Sequence, residues 1–243
     1  GIANTGGNAV YSFISNFQTA FNPRLVKLYA VDAQNDLENL IVRASKFSLY
    51  LLLMMVVPII MEIDYILNLW LKNVPMYAVN LCKLILVYHL IDAIQAPLWM
   101  YINASGDIRA YSVVNTILFL LTIPITYLLL RMGYSVYWVL IIKVLCNVVG
   151  SLYRILLLKI KYKFRIEVYL IRSLGPAMVV TFCSFLCAYL IRDVVLVNNP
   201  IITMLATICI VFILIVTLGL RKDERVMIME FIKSKLLIRK DYI

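Results

Sequence analysis

"IITMLATICIVFILIVTLGL" (residues 201–220) decides the fold class of this chain. The segment contains no charged side chain, and at 1.5 Å per residue its length matches the roughly 30 Å of hydrocarbon in a bilayer. Residues 110–130 are equally free of charge, and residues 173–191 are nearly as long. Three segments are therefore predicted to cross a membrane as α-helices.

Four further segments raise the predicted number of spans to about seven. Residues 47–61, 74–104 and 133–153 are apolar with few polar interruptions, and residues 4–30 are a more polar candidate. The chain is 63% hydrophobic and 15% charged, against about 45–50% and about 25% in soluble domains. Lipid offers the backbone no hydrogen-bond partners, and these long runs lack the alternation of barrel strands. We predict an all-α, polytopic membrane helical bundle.

The positive charge predicts an orientation. Of the cations outside the spans, 17 fall in alternate connections and the C-terminal tail, and 3 fall in the other connections. The cation-rich side is predicted to be cytoplasmic, which places the C-terminus there. Residues 221–243 form a basic amphipathic tail expected to contact membrane lipids. No aromatic-interleaved basic patch indicates nucleic acid as a partner.

A polar stripe runs along the first helix at helical spacing. Its members are Asn8, Ser12, Ser15, Thr19 and Asn22, with Asn4 one turn earlier. Polar groups facing lipid are costly, so the stripe is expected to meet other helices or water. Packing between helices is one interpretation. A water-filled cavity is favoured here, because a row of Asn side chains supplies more polarity than packing needs.

Two later spans also carry polar residues at steps of three and four. The third contains His89, Asp92 and Gln95, and the fifth contains Lys143 and Asn147. Intramembrane His and Asp residues favour a proton or cation relay, although a structural pair between Asp92 and His89 is the alternative. Lys143 is expected to face a cavity, an anionic ligand or a carboxylate. Arg154 lies near the end of its span and is expected to extend to the interface.

Catalysis and metal binding are poorly supported by the sequence. There is one histidine, and no nucleophile–base set, paired carboxylates or glycine-rich phosphate loop is recognisable. The five cysteines lie inside apolar spans without metal-ligand spacing. We therefore predict that the protein is not an enzyme and needs no cofactor or metal.

Four segments together carry a family resemblance: "NFQTAFNPRLVKLYA" (16–30), "RASKFSLYLLLMMVVPII" (43–60), "ILNLWLKNVPMYA" (66–78) and "NASGDIRAY" (103–111). In order and spacing they resemble bacterial polysaccharide flippases, of the O-antigen and capsule type, within the multidrug/oligosaccharidyl-lipid/polysaccharide exporter superfamily. The resemblance extends from the first residue to about residue 172.

The resemblance implies a two-lobe transporter of the bacterial inner membrane that moves polyprenyl-pyrophosphate-linked oligosaccharide by alternating access. Residues 1–172 would be five transmembrane helices of the C-terminal lobe, with the first helix truncated, and residues 173–220 two additional helices. The N-terminal lobe of the same protein would be missing from this chain. Carried onto this sequence, the resemblance adds Asn16, Gln18 and Arg24 to the expected substrate cavity, alongside Asn22, with Arg109 in the "GDIR" turn. Further partners would be glycosyltransferases or a polymerase of the same pathway.

Two alternatives remain at this stage. A multidrug/cation antiporter of the same superfamily would share the fold but is expected to have an acidic, aromatic cavity. A membrane polysaccharide polymerase would normally carry a long extramembrane loop, which no connection here supplies.

Overall fold

The computed structural model describes residues 2–71, 73–195 and 199–226, and this part of the chain contains helices and no β-strand. In chain order the helices are α1 (Ile2–Thr19), α2 (Asn22–Ala30), α3 (Gln34–Met61), α4 (Ile63–Trp70), α5 (Ala78–Ala104), α6 (Arg109–Arg131), α7 (Tyr137–Tyr162), α8 (Ile166–Tyr169), α9 (Gly175–Val195) and α10 (Pro200–Leu214). Two π-helical segments, Leu170–Leu174 and Ile215–Gly219, extend α8 into α9 and lengthen α10.

Six helices in the described ranges are long and apolar enough to cross a membrane. They are α3, α5, α6, α7, the continuous helix Ile166–Arg192, and Pro200–Gly219. This confirms the predicted all-α membrane bundle of about seven helices. The remaining candidate, α1, is long enough for most of a span but too polar to meet the same criterion.

The chain bends between α1 and α2, where Pro23 stands in the first turn of α2. Proline suits that position, because the first turn of a helix leaves its backbone N–H groups without partners in any case. α2 then returns the chain to α3 through a turn in which Asp32 has a φ of 53°.

α3 and α5 form the centre of the bundle. α1, α9 and α10 pack on α3, while α7 packs on α5 and α6 packs on α7. The largest apolar core joins α3 and α5 to residues of α9 and α10, such as Val180 and Val211. α6 lies at the edge, and Tyr111 is its one buried residue. The apolar surface of α6 is thus left uncovered by the described chain.

Ion pairs join the cation-rich connections at one end of the bundle. Arg165, after α7, donates from Nε to Glu38 of α3 at 2.5 Å. Lys161 pairs with Asp107 in the α5–α6 turn, and Lys46 of α3 pairs with Glu224 beyond α10. Segments predicted from charge to share one side of the membrane therefore meet at the same end of the fold.

The expected boundary between residues 172 and 173 falls inside a continuous helix. The chain passes from α8 through Leu170–Leu174 into α9 without a loop, and α9 and α10 share an apolar core with α3. Of the predicted basic tail, the structure describes residues 221–226, of which 222–226 are helical. The amphipathic pattern after residue 226 lies outside the described residues.

Candidate functional site

A polar groove lies between α1, α5, α6 and α7. It consists of two adjoining cavities of about 160 Å³ and about 430 Å³. The cavities share Asp92 of α5, Tyr111 and Asn115 of α6, and Arg154 of α7. The smaller cavity is also lined by Asn147 and Lys143, and the larger one by Tyr11 of α1 and by Trp99. We call these two cavities the polar groove.

Each of three helices presents one face to the groove. On each helix, lining residues recur at steps of three or four, so they share one side of the helix. They include Tyr88, Asp92, Ala96 and Trp99 on α5; Tyr111, Asn115, Leu118 and Thr122 on α6; and Lys143, Asn147, Gly150 and Arg154 on α7. The α6 stripe was missed from the sequence, because an uncharged stretch long enough for a span looks lipid-facing throughout. The signal that could have revealed it is the spacing of Tyr111, Asn115 and Thr122.

Arg154 was expected to extend to the membrane interface, but its side chain turns into the groove. It is 9% exposed, and its Nη1 donates to the backbone oxygen of Gln95 at 2.9 Å. Its Nη2 donates to the Tyr111 hydroxyl group, and its guanidinium carbon lies 5.0 Å from the centre of that ring. A buried guanidinium needs several acceptors, and α5 and α6 supply two of them.

Lys143 supplies the second cation of the groove. Its Nζ lies 4.5 Å from the centre of the Tyr88 ring, a distance at which the negative face of the ring attracts an ammonium group. Lys143 precedes Arg154 by three helical turns, so their backbone positions are about 16 Å apart along α7. The two cations therefore start from different levels of α7. Lys143 lines a cavity, which is one of the three surroundings expected for it.

Asp92 is the carboxylate that lines both cavities. It interacts electrostatically with Tyr11 and Tyr88, and Tyr11 lines the larger cavity together with it. In the described part of the chain, no Lys, Arg or His nitrogen lies within the 4.0 Å of an ion pair with Asp92. The carboxylate is thus open to a ligand or a proton from the groove.

His89 has surroundings quite different from those of Asp92. Its ring stacks on Tyr11 with centroids 4.7 Å apart, is 6% exposed, and lines neither cavity of the groove. Both imidazole nitrogens are buried without a hydrogen-bond partner among the described residues. The alternative of a structural Asp92–His89 pair is therefore wrong for this conformation. The predicted relay through both residues remains a prediction.

The polar stripe of α1 is neither sealed nor packed. Asn8, Ser12, Asn16 and Thr19 are exposed, and Ser15 and Asn22 are half-buried. The hydroxyl groups of Ser12 and Thr19 donate hydrogen bonds to the backbone oxygens of Ala9 and Asn16, at 2.8 and 2.9 Å. On the same helix, Tyr11 lines the groove and Asn4 lines a neighbouring cavity against α6 and α7. None of the expected residues Asn8, Ser12, Ser15, Asn16, Thr19 and Asn22 lines either cavity of the groove. Asn8 and Ser15 share a helix side with Tyr11 by their spacing, so the stripe lies next to the groove-lining side of α1.

Of the expected substrate-cavity residues, Lys143 and Asn147 line the groove, and Gln18, Gln95 and Arg24 lie away from it. Gln18 is 2% exposed and donates to the backbone oxygen of Ala93 at 3.0 Å, so it belongs to the α1–α5 contact. Gln95 is buried and its side chain lines an apolar cavity between α5, α7 and α9. Arg24 is exposed on α2. Neither Arg24 nor Arg109 lines the polar groove or the neighbouring cavity at Asn4.

Comparison with known proteins gave no match among family models, curated proteins or solved structures. Within residues 2–71, 73–195 and 199–226, no cluster of three His, Cys, Asp or Glu side chains is arranged to hold a metal ion. The fold and the apolar helices define a polytopic α-helical membrane protein. Its distinguishing feature is a polar groove inside the apolar bundle.

Proposed function

We propose that this chain is part of a flippase that moves polyprenyl-pyrophosphate-linked oligosaccharide across the bacterial inner membrane by alternating access. The observation that carries the proposal is the polar groove, in which Lys143 and Arg154 outnumber the single carboxylate of Asp92. The family resemblance of residues 1–172 points in the same direction. In this proposal the chain is one lobe, its groove faces a second lobe, and the C-terminus is cytoplasmic.

The groove suits a diphosphate that must be held and then released. Cations inside a bilayer are expensive and usually face a cavity or a counter-charge. Lys143 is held by an aromatic face, and Arg154 by neutral oxygens. Neither cation forms an ion pair in the described structure. Both charges therefore remain available to an anionic ligand, because no carboxylate has to be displaced from either of them.

The uncovered stripe of α1 suits a sugar head-group. Hydroxyl-rich rings need many neutral donors and acceptors, and Asn, Ser and Thr side chains provide both without a buried charge. The stripe extends over several turns of α1, on the helix whose Tyr11 lines the groove. A head-group crossing the membrane can exchange hydrogen bonds along it in small steps, which keeps each barrier low.

A multidrug/cation antiporter is the second candidate. It is favoured by Asp92, an unpaired carboxylate surrounded by Tyr11, Tyr88 and Tyr111. Aromatic faces together with one carboxylate attract organic cations. Against it stands the charge of the groove, since Lys143 and Arg154 repel such a ligand. The membrane polymerase alternative gains no support from the groove, which holds no pair of carboxylates.

Transport by the full-length protein in proteoliposomes distinguishes the two candidates. A polyprenyl-diphosphate oligosaccharide with a fluorophore on its sugar is placed in the outer leaflet, and protection from a membrane-impermeant quencher is measured. Lys143→Gln is expected to slow protection at least about tenfold, because one charge-assisted contact is worth about 1.5–3 kcal/mol. Asp92→Asn is expected to leave lipid-linked sugar binding measurable and to remove any dependence on an ion gradient.

A quaternary ammonium dye serves as the control substrate. Under the flippase proposal the protein does not transport it, and Lys143→Gln does not create an activity. Transport of the dye that Asp92→Asn abolishes, with no movement of the lipid-linked sugar, would establish the antiporter and contradict the flippase.

A further inference from the structure

We infer that the polar groove is divided into two subsites, a sugar-ring subsite on Trp99 in the larger cavity and a phosphate subsite beside Lys143 in the smaller one. The inference rests on the proposed function and goes beyond it, because it assigns the parts of the substrate to levels of the groove. Arg154 stands between the subsites and lines both.

The smaller cavity has a size that suits a phosphate group, and the larger one has a size that suits a sugar ring. The cavity at the Lys143 level holds about 160 Å³, the share of roughly five water molecules in the liquid. This is enough for a phosphate group with little hydration. The cavity at the Trp99 level holds about 430 Å³, within the range of small-molecule pockets. It accommodates a sugar ring together with the waters that satisfy its outer hydroxyl groups.

The larger cavity has an aromatic wall. Trp99 is half-buried and lines it together with Tyr111, at a ring-centroid distance of 4.8 Å and an interplanar angle of 39°. A pyranose has one face of C–H bonds that rests on the negative face of an aromatic ring. Arg154 lies over the Tyr111 ring and Lys143 over the Tyr88 ring of the smaller cavity, whereas the Trp99 ring has no cation over it among the described residues.

The larger cavity also offers planar polar groups. Asp92 accepts hydrogen bonds, Asn115 both donates and accepts, and the Arg154 guanidinium donates. All three line the larger cavity. Adjacent hydroxyl groups of a sugar match such planar groups, because two neighbouring donors or acceptors are engaged at once. An aromatic face and planar polar side chains in one cavity therefore form a recognition surface for a sugar ring.

The charges fix the order of the two subsites. Asp92 and Arg154 line both cavities, so their opposite charges are present at both levels, and Lys143 adds a positive charge to the smaller cavity alone. The smaller cavity therefore attracts the anionic part of a ligand, and the neutral ring is placed at the Trp99 level. A substrate with a diphosphate next to its first sugar spans the two levels in this order.

Binding of two probes to the full-length protein in nanodiscs tests the inference. One probe is a polyprenyl diphosphate carrying a single hexose, and the other is the same polyprenyl diphosphate without sugar. Trp99→Ala is expected to weaken binding of the hexose probe about tenfold and to leave the bare diphosphate unchanged. Trp99→Phe, which keeps an aromatic face, is expected to restore most of the loss. Lys143→Gln is expected to weaken both probes equally.

Trp138→Ala is the matched control, because Trp138 lines neither cavity of the groove and packs on Tyr134. It is expected to bind both probes normally. Equal affinity of the unaltered protein for the two probes, or equal losses of both in Trp99→Ala with no recovery in Trp99→Phe, would overturn the sugar subsite alone. Failure of the unaltered protein to bind either probe would overturn the proposed function and the subsite with it.

Discussion

Gly7 lies at a close contact between α1 and α5. A Cβ atom at this position would lie 2.2 Å from Cγ2 of Ile85 and 3.2 Å from Nε2 of His89. The methyl group of a β-branched side chain has little freedom to move aside. The same contact brings Tyr11 over the His89 ring and so positions the Tyr11 hydroxyl group at the groove. One small residue thus determines how close the polar helix lies to the centre of the bundle.

Gly7→Ala is accordingly expected to destabilise the protein by about 1–3 kcal/mol, the usual cost of overpacking a close contact. The measurement is thermal unfolding of the purified protein in detergent. Gly6→Ala is the matched control, because its Cβ would lie 4.0 Å from the nearest atom, on Trp70. Equal melting temperatures for the two variants would contradict the close α1–α5 contact.

At the scale of the helix, α1 has a packed side and a polar side. Ile14 and Gln18 are buried against the bundle, while Asn8, Ser12 and Thr19 stay exposed. Exposure in this chain means that no other described helix covers these side chains. The cost of placing amides against acyl chains favours water or a second lobe over lipid at this surface.

Cysteine labelling tests the environment of that surface. With the five native cysteines replaced, single cysteines at Asn8, Ser12 and Thr19 are expected to react with a membrane-impermeant maleimide in intact membranes. The reason is that thiolate formation requires water. A cysteine at Phe13, which is 58% exposed on another side of α1, is the control and is expected to react slowly. Labelling at Phe13 alone would show that the stripe faces lipid.

At the scale of the whole molecule, a buried ion pair attaches the C-terminal helices to the bundle. Lys46 is 0% exposed and pairs with Glu224, which also accepts from the backbone N–H of Arg221 at 2.9 Å. One turn along α3, Tyr50 donates to the carbonyl of Gly219 at 3.2 Å. These bonds fix the end of α10 against α3, so the last two helices belong to the same body as the groove.

Removing one partner of this pair is expected to cost more than removing both. Lys46→Met and Glu224→Gln should each lower the free energy of unfolding by about 3–5 kcal/mol, because each strands a buried polar group. The double variant should recover part of that loss, which a double-mutant cycle on thermal unfolding measures. Additive losses in the double variant would mean that the two side chains do not interact.

The sequence alone determined that the protein is an all-α membrane bundle, and it located the six described helices that are long and apolar enough to be spans. Hydrophobic length is a property of consecutive residues, so it needs no knowledge of neighbours. Charge along the chain likewise predicted which connections share one end, and the pairs Arg165–Glu38 and Lys161–Asp107 bring them together there.

The tertiary structure decided which polar residues form a site. The family resemblance placed Gln18 in the expected substrate cavity, yet its position around α1 puts it in the packed contact with α5. Arg154 turns inward because α5 and α6 offer it the Gln95 carbonyl and the Tyr111 hydroxyl group. Where a polar side chain points depends on the partners that neighbouring helices bring within reach, and these partners are distant in sequence. For that reason the groove emerged only from the packing of four helices.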